Sequence, residues 1–203
     1  MKYTDWVPSS NPRGQYAKGA ERRSQIIQTA TDVFATEGFE GTALKRVAEL
    51  VGVKEATLFH YFRGKQELLT AVLAERDRRS LAAMQEEEAG LPLMVRSAER
   101  NRHEPGLTTL YAVASATAND PGHDSHGYFR ERYAEVVDVL AVDIGRRQAA
   151  GEVRADVPAQ DLARLVVALS DGLQLQWLYD KEVDVADGLT QFIDVLLKPP
   201  AQA

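Results

Sequence analysis

The sequence predicts an all-α protein of about nine helices, in which an N-terminal unit of three helices precedes a larger helical domain. Its composition favours helices, because Ala and Leu are plentiful and only 7% of the 203 residues are aromatic. Apolar residues recur at the i, i+3, i+4, i+7 spacing of an amphipathic helix in most segments, and no segment alternates as a β-strand would. A chain of this length buries a sizeable core without disulfides.

The first three helices follow from stripes of apolar residues and from the residues that end them. One stripe begins near Ala20 and ends at Gly38, a residue type that commonly terminates a helix. Thr42 is the predicted N-cap of a second, short helix, which ends at Gly52. A third short helix is predicted over Glu55 to Phe62.

The remaining helices form the larger domain. The first of them runs from Lys65 towards Glu88, and its charged run Glu75 to Ser80 is interpreted as a solvated surface. The later helices are predicted at about Leu91–His103, Gly106–Ala118, Gly127–Ala149, Pro158–Tyr179 and Val185–Leu197. The chain is therefore divided into a flexible N-terminal arm (1–19), a three-helix domain (20–65) and a helical body (66–203).

Charge is distributed unevenly along the chain. The net charge is -6, but residues 1–65 carry 10 Lys or Arg against 7 Asp or Glu, which gives +3, and residues 66–203 carry -9. A basic first third on an acidic body is expected where only that third meets a polyanion such as DNA.

Several function classes are excluded by what the sequence lacks. The absence of cysteine removes disulfide scaffolds, thiol nucleophiles, iron–sulfur clusters and cysteine-ligated zinc sites. No cofactor is predicted. The first ten residues lack the apolar segment of a signal peptide, and the longest apolar run, Leu165 to Leu169, is too short for a bilayer. A cytoplasmic protein without a membrane partner is therefore expected.

Ala48, Gly52 and Leu58 have the spacing of a helix-turn-helix unit. Ala48 is small where the second helix crosses over it, Gly52 allows a left-handed backbone at the turn, and Leu58 fills the space between the helices. Such spacing also occurs in ordinary helical hairpins, so the surrounding residues decide between the two interpretations.

Those residues resemble a known family. The stretch from Gly38 to Leu69, GFEGTALKRVAELVGVKEATLFHYFRGKQELL, is similar to the DNA-binding module of the TetR family of bacterial transcriptional regulators. The resemblance covers about the first third of the chain, and the rest is similar only in length and helical layout. It implies a homodimeric repressor that binds a palindromic operator on double-stranded DNA and is released by a small, mostly apolar effector.

The resemblance also implies roles for individual residues in DNA binding. The third helix enters the major groove, while the start of the second helix and a lysine beyond the third meet phosphates. Lys54 departs from the Ser or Thr that is usual as the N-cap of the third helix, and Glu55 places an acid beside the DNA backbone. The implied contacts come from Thr42, Lys45, Lys54, Glu55, Ala56, Thr57, Phe59, His60, Tyr61 and Lys65.

An apolar effector cavity is expected in the body, because soft and aromatic side chains line such cavities. The candidate lining residues are Met84, Met94, His103, Tyr111, Tyr128, Phe129, Gln174 and Trp177. His123 and His126, in the sequence HDSH, are two potential metal ligands, but a loop pair without a third ligand is typical of solvated histidines, and no metal is predicted.

The last two helices are predicted to form a dimer interface. A helix that is apolar around most of its circumference is either buried deep within one subunit or covered by a second partner, and we expect a symmetry mate to be that partner. The predicted interface residues are Leu162, Leu165, Val166, Leu169, Leu173, Val185, Leu189, Phe192, Ile193 and Leu196.

Two alternatives stay open at this point. One is a DNA-binding regulator that acts without ligand control or as an activator, which the sequence does not separate from a repressor. The other is a helical enzyme, against which stand the missing cysteines, the lack of a Glu-x-x-His pair on a helix and the lack of a supported Ser-His-Asp grouping.

Overall fold

The computed structural model describes residues 12–83 and 89–198, which contain helices and no strands. The all-α prediction is confirmed, and the helices occur in the predicted order. They are α1 (Pro12–Glu37), α2 (Leu44–Val51), α3 (Glu55–Leu58), α4 (Lys65–Ala83), α5 (Leu91–Asn101), α6 (Pro105–Thr117), α7 (His126–Ala149), α8 (Ala159–Tyr179) and α9 (Val185–Gln191), followed by a π-helical turn (Phe192–Leu196).

α1 begins earlier than predicted. It starts at Pro12 rather than near Ala20, so residues 12–19 of the predicted flexible arm are helical, while residues 1–11 lie outside the described residues. Proline suits the first position of a helix, because its fixed φ is helical and its missing N–H would have no partner there. That signal outweighs the weak apolar periodicity of this segment.

α1, α2, α3 and the first half of α4 share one apolar core. Ile26 and Phe34 of α1, Val47 of α2, Leu58 of α3 and Leu68 of α4 are all buried in it. The same core continues into α6 and the start of α7. The predicted domain boundary at residue 65 is the first residue of α4. This helix packs both against the three helices before the boundary and against α6 and α7 beyond it.

A second core fills the body between α5, α7, α8 and α9. Leu140 and Ile144 of α7, Val166 and Trp177 of α8, and Leu189 of α9 are buried in it. The two cores adjoin at Tyr133, which packs against both.

Gly106 allows α6 to approach α1 closely. A Cβ atom at Gly106, at the start of α6, would overlap the carbonyl oxygen of Ala35 in α1. A larger residue at this position would force α6 away from α1.

A buried carboxylate holds the start of α5. Gly90 has a φ of 108°, and the next N–H, that of Leu91, donates to Asp143 Oδ2 at 3.0 Å. Burial alone would raise the pKa of Asp143, but hydrogen bonds from Arg146 at 2.7 Å and from the Leu91 N–H, together with Arg147, hold it below its ordinary value of 3.8. The first turn of α5 is thus tied to the middle of α7.

Candidate functional site

The turn between α2 and α3 has the geometry that the residue spacing predicted. Gly52 has φ 76° and ψ 34°, in the left-handed region, and the N–H of Val53 donates to Ala48 O at 2.9 Å. Ala48 and Leu58 are both 1% exposed. The predicted left-handed turn at Gly52 is confirmed, and Ala48 and Leu58 are buried in the core, as their predicted roles require.

α3 presents one buried and one exposed face. The α-helix ends at Leu58. The N–H groups of Tyr61 and Phe62 both donate to Leu58 O, so hydrogen-bonded turns continue to Phe62, the predicted end of the helix. Phe62 is buried and Phe59 is 53% exposed. The exposed face also carries Glu55, Ala56 and His60, whereas Thr57 and Tyr61 are half-buried. A short helix with such a face can enter a DNA groove.

The three lysines of this unit differ in how they are engaged. Lys54 is exposed, is the N-cap of α3 without a side-chain capping bond, and forms no ion pair with the described residues. Lys45 lies 3.9 Å from Glu49. Lys65 donates to Glu40 O at 3.2 Å. Lys54 is therefore the lysine of the three whose charge is fully available to an anion.

Thr42 does not cap α2, which corrects the prediction. The N-cap is Ala43, and Thr42 is 2% exposed. Its hydroxyl donates to Gly38 O at 2.6 Å and its N–H donates to Phe39 O at 3.2 Å. Because both donors are satisfied inside the protein, Thr42 shapes the α1–α2 turn, and its side chain is not available to a phosphate.

A cavity of about 280 Å³ lies in the body between α4, α5, α6, α7 and α8. Of the predicted lining residues, Met94, Tyr111 and Gln174 line it. His103 is exposed elsewhere, and Phe129 and Trp177 are buried in the two cores, so these three assignments are wrong. Tyr128 does not line the cavity but donates a hydrogen bond to Asp77, which does, and Met84 lies outside the described residues.

Charged residues occupy one end of this cavity. The Asp77 carboxylate accepts hydrogen bonds from Tyr128 Oη and, at 2.6 Å, from Arg132 Nε. Arg132 Nη1 donates to Tyr111 Oη at 2.9 Å. Burial raises the pKa of Tyr128, and the neighbouring Asp77 raises it further. Tyr128 therefore stays protonated at neutral pH and donates to Asp77.

Arg76 corrects the interpretation of Glu75 to Ser80 as a solvated surface. Its side chain is 6% exposed, and its guanidinium lies 4.9 Å from the centre of the Tyr111 ring. Burial lowers the pKa of Arg76, and the adjacent Asp77 opposes that effect. The signal was present in the sequence, because Arg76 follows Leu69 and Leu73 on the apolar stripe of α4 by seven and three residues.

Four of the predicted interface residues are buried within the single chain. Leu162, Val166, Val185 and Leu189 are at most 3% exposed, because α7 and α9 cover that side of α8. They cannot contact a second chain, and their assignment is wrong. Of the others, Leu165 is exposed, Leu169, Leu173, Phe192 and Ile193 are partly buried, and the side chain of Leu196 is not described.

The side chains of His123 and His126 both form hydrogen bonds with the main chain. His123 Nδ1 lies 3.1 Å from Ser125 N, and His126 Nδ1 lies 2.9 Å from Ala118 O. No group of three potential metal ligands occurs within residues 12–83 and 89–198. Across those same ranges, every helix is too short or too polar to cross a bilayer.

Comparison with known proteins places this geometry in context. Residues 26–72 match the family model described as bacterial regulatory proteins, tetR family. A helix-turn-helix-type transcriptional repressor of Mycobacterium tuberculosis is 31% identical over 154 residues, which make up 76% of this chain and 81% of the relative.

Solved structures have the same fold. A TetR-family regulator from Rhodococcus sp. superposes with a TM-score of 0.71 at 26% identity, over 86% of this chain and 98% of that chain. A transcriptional regulator from Saccharomonospora viridis, solved in complex with choline, has a TM-score of 0.71 at 22% identity, over 88% of this chain and 98% of that one. These relatives are regulators of transcription rather than enzymes.

Proposed function

We propose that this chain, which belongs to the TetR family of bacterial regulatory proteins, represses transcription as a homodimer that leaves a palindromic operator when a small molecule enters the body. The exposed face of α3 carries the proposal, because it presents side chains to a DNA groove from a rigid helix-turn-helix. The similar protein of Mycobacterium tuberculosis is a repressor, which favours repression over activation.

Two kinds of DNA contact follow from the geometry of α3. Lys54, at its exposed N-terminal end, meets a phosphate and contributes affinity for any sequence. Glu55, Ala56, Phe59 and His60 lie on the exposed face and read bases, with Phe59 against a thymine methyl group and Glu55 towards a cytosine amino group.

An uncovered stripe on α8 supports dimerisation. Leu165, Leu175 and Tyr179 are 54%, 50% and 88% exposed, and Ala168 and Gly172 lie between them on the same face. The small residues allow close approach of a second helix, and the large ones pack around it. In such a dimer the two α3 helices meet successive major grooves when they lie about 34–36 Å apart.

α4 provides a route from the cavity to the DNA. Leu68 and Leu69 pack in the N-terminal core, while Arg76 and Asp77 line the cavity about 12 Å further along the same helix. A molecule that shifts Arg76 and Asp77 therefore displaces the N-terminal unit of each subunit. If it prefers a separation of the α3 helices that does not fit the duplex, it lowers the population that binds DNA.

Selection of binding sites from a random duplex library tests the proposal. The full chain is expected to enrich an inverted repeat, and a library without any enriched repeat would contradict it. Leu175→Asp is expected to give a monomer in sedimentation and to weaken operator binding, because a carboxylate in an apolar interface loses its hydration. Val113→Asp, at an exposed position of α6, is the matched control and should remain dimeric.

A further inference from the structure

The cavity in the body has a polar end and an apolar end. On α7, Arg132 precedes Val136 and Leu140 by one and two turns, and on α8 Val167 precedes Asp171 and Gln174. The two polar ends meet, because Tyr133 Oη donates to Asp171 Oδ2 at 2.8 Å between these helices. The cavity therefore suits an amphipathic molecule, which makes the mostly apolar effector expected from the sequence more specific.

Among the buried and half-buried groups of the polar end, formal charges balance; Glu135, which also lines the cavity, is exposed to solvent. Arg76 Nη1 lies 3.3 Å and Arg132 Nε lies 2.6 Å from the carboxylate of Asp77, so one acid serves two guanidinium groups. Asp171 lines the same end and supplies the second negative charge. A charged ligand group would disturb this balance, whereas a neutral one would preserve it.

A chain of hydrogen bonds fixes the orientation of Gln174. Arg76 Nη2 donates to Asn101 Oδ1 at 2.8 Å, which leaves Asn101 Nδ2 to donate to Gln174 Oε1 at 2.7 Å. Gln174 is 8% exposed and lines the cavity, and its Nε2 has no partner among residues 12–83 and 89–198. This nearly buried donor is available to a molecule inside the cavity.

An acceptor lies one turn away on the same face of α8. Asp171 receives a hydrogen bond from Tyr133 on Oδ2, and its Oδ1 has no partner within the described part of the chain. Burial raises the pKa of Asp171, while Tyr133 and Arg132 oppose that effect. A hydrogen-bond donor at Oδ1 would compensate for the lost hydration.

We propose that the effector is a small amphipathic molecule with a neutral head, a hydroxyl or a primary amide, that donates to Asp171 and accepts from Gln174. Its apolar tail lies against Leu93, Met94, Val136, Leu140 and Val167. The volume of about 280 Å³ is at the lower end for small-molecule sites, so the tail is short. This assignment rests on the proposed function, because it identifies the class of molecule that would release the operator.

Calorimetric titration of the full chain with four probes of eight carbon atoms each tests the head group. The probes are 1-octanol, octanamide, octanoate and octylammonium, and the two neutral ones are expected to bind at least about tenfold more tightly than both charged ones. An equal or tighter affinity for octanoate or octylammonium, or no binding of any probe, would overturn the assignment.

Asp171→Asn tests the residue directly. The variant should bind 1-octanol about tenfold more weakly, because it loses a charged acceptor. It should also bind octanoate more tightly than the parent does, because among the buried and half-buried groups two guanidinium groups then face the single carboxylate of Asp77. An unfolded variant could not gain affinity, so this second result separates the proposed role from a loss of structure.

Asp161→Asn, at an exposed position on the same helix, is the control and should leave all four affinities unchanged. Unchanged octanol affinity in Asp171→Asn would refute the contact. These titrations contain no DNA, so their failure is distinguishable from failure of the repressor function. A chain that selects an inverted repeat but prefers a charged probe keeps the function and loses the assignment.

Discussion

Lys54→Ala is expected to reduce the salt dependence of operator binding. Lys54 is exposed, caps α3 through its backbone alone and forms no ion pair with the described residues, so its charge is free to neutralise a phosphate. Each phosphate contact contributes about -0.9 to the slope of log K against log salt concentration. A dimer places two copies of Lys54 on the operator, so the magnitude of the slope should fall by about 1.8.

That change of slope determines how the affinity difference between parent and variant depends on salt. Over a fourfold range of salt, from about 50 to about 200 mM, the ratio of parent to variant affinity should shrink about twelvefold. Fluorescence anisotropy with a labelled operator across this range measures both slopes. Non-operator duplexes should show the same loss, because a phosphate contact carries no sequence information.

Lys198→Ala provides the comparison. Lys198 is an exposed lysine just beyond the π-helical turn, in the body rather than in the DNA-binding unit. It changes the net charge of the chain by the same amount, so an equal change of slope in both variants would mean that Lys54 acts through the overall field and not through contact. An unchanged slope in Lys54→Ala would refute the contact outright.

Three further predictions concern stability. Leu58→Ala should lower the free energy of unfolding by about 2–5 kcal/mol in urea denaturation, because Leu58 is 1% exposed. A loss well below that range would mean that neighbouring side chains move in to fill the cavity left by the substitution. Asp143→Asn should destabilise the chain near pH 7, and the difference should shrink as the pH falls below about 3.8, because the pKa of Asp143 is lowered in the folded state; a difference that stays constant across this pH range would contradict the prediction. Gly106→Ala should lower the melting temperature, whereas Gly127→Ala, which has open space around it, should not.

The helix-turn-helix could be predicted because its determinants are local. Ala48, Gly52 and Leu58 act within eleven residues, and each has a single steric role. The N-cap of α2 was misplaced by one residue for an equally local reason. A threonine can cap a helix or donate to a carbonyl behind it, and Thr42 does the second.

The polar end of the cavity could not be predicted, because its contacts join distant segments. Asp77 meets Arg132 across 55 residues, and Asn101 meets Gln174 across 73 residues. Periodicity assigns such residues to a face of a helix but does not identify the helix that packs against that face. The same limit explains the misassigned interface, since an apolar stripe such as that of Val166 looks identical whether a neighbouring helix or a second chain covers it.

α4 contributes both to the N-terminal core and to the cavity wall, and this restricts how the protein can be recombined with others. A hybrid regulator joined at residue 65 would lose four residues of α4 from the core that α3 packs on: Leu68, Leu69, Val72 and Leu73. A graft of this DNA specificity onto a foreign body therefore has to carry α4 up to Leu73 together with the α6 surface that meets α1. A hybrid joined in the second half of α4 keeps that core intact but takes its cavity wall from the other protein. DNA specificity and effector specificity can therefore be combined from two proteins only by a junction within α4.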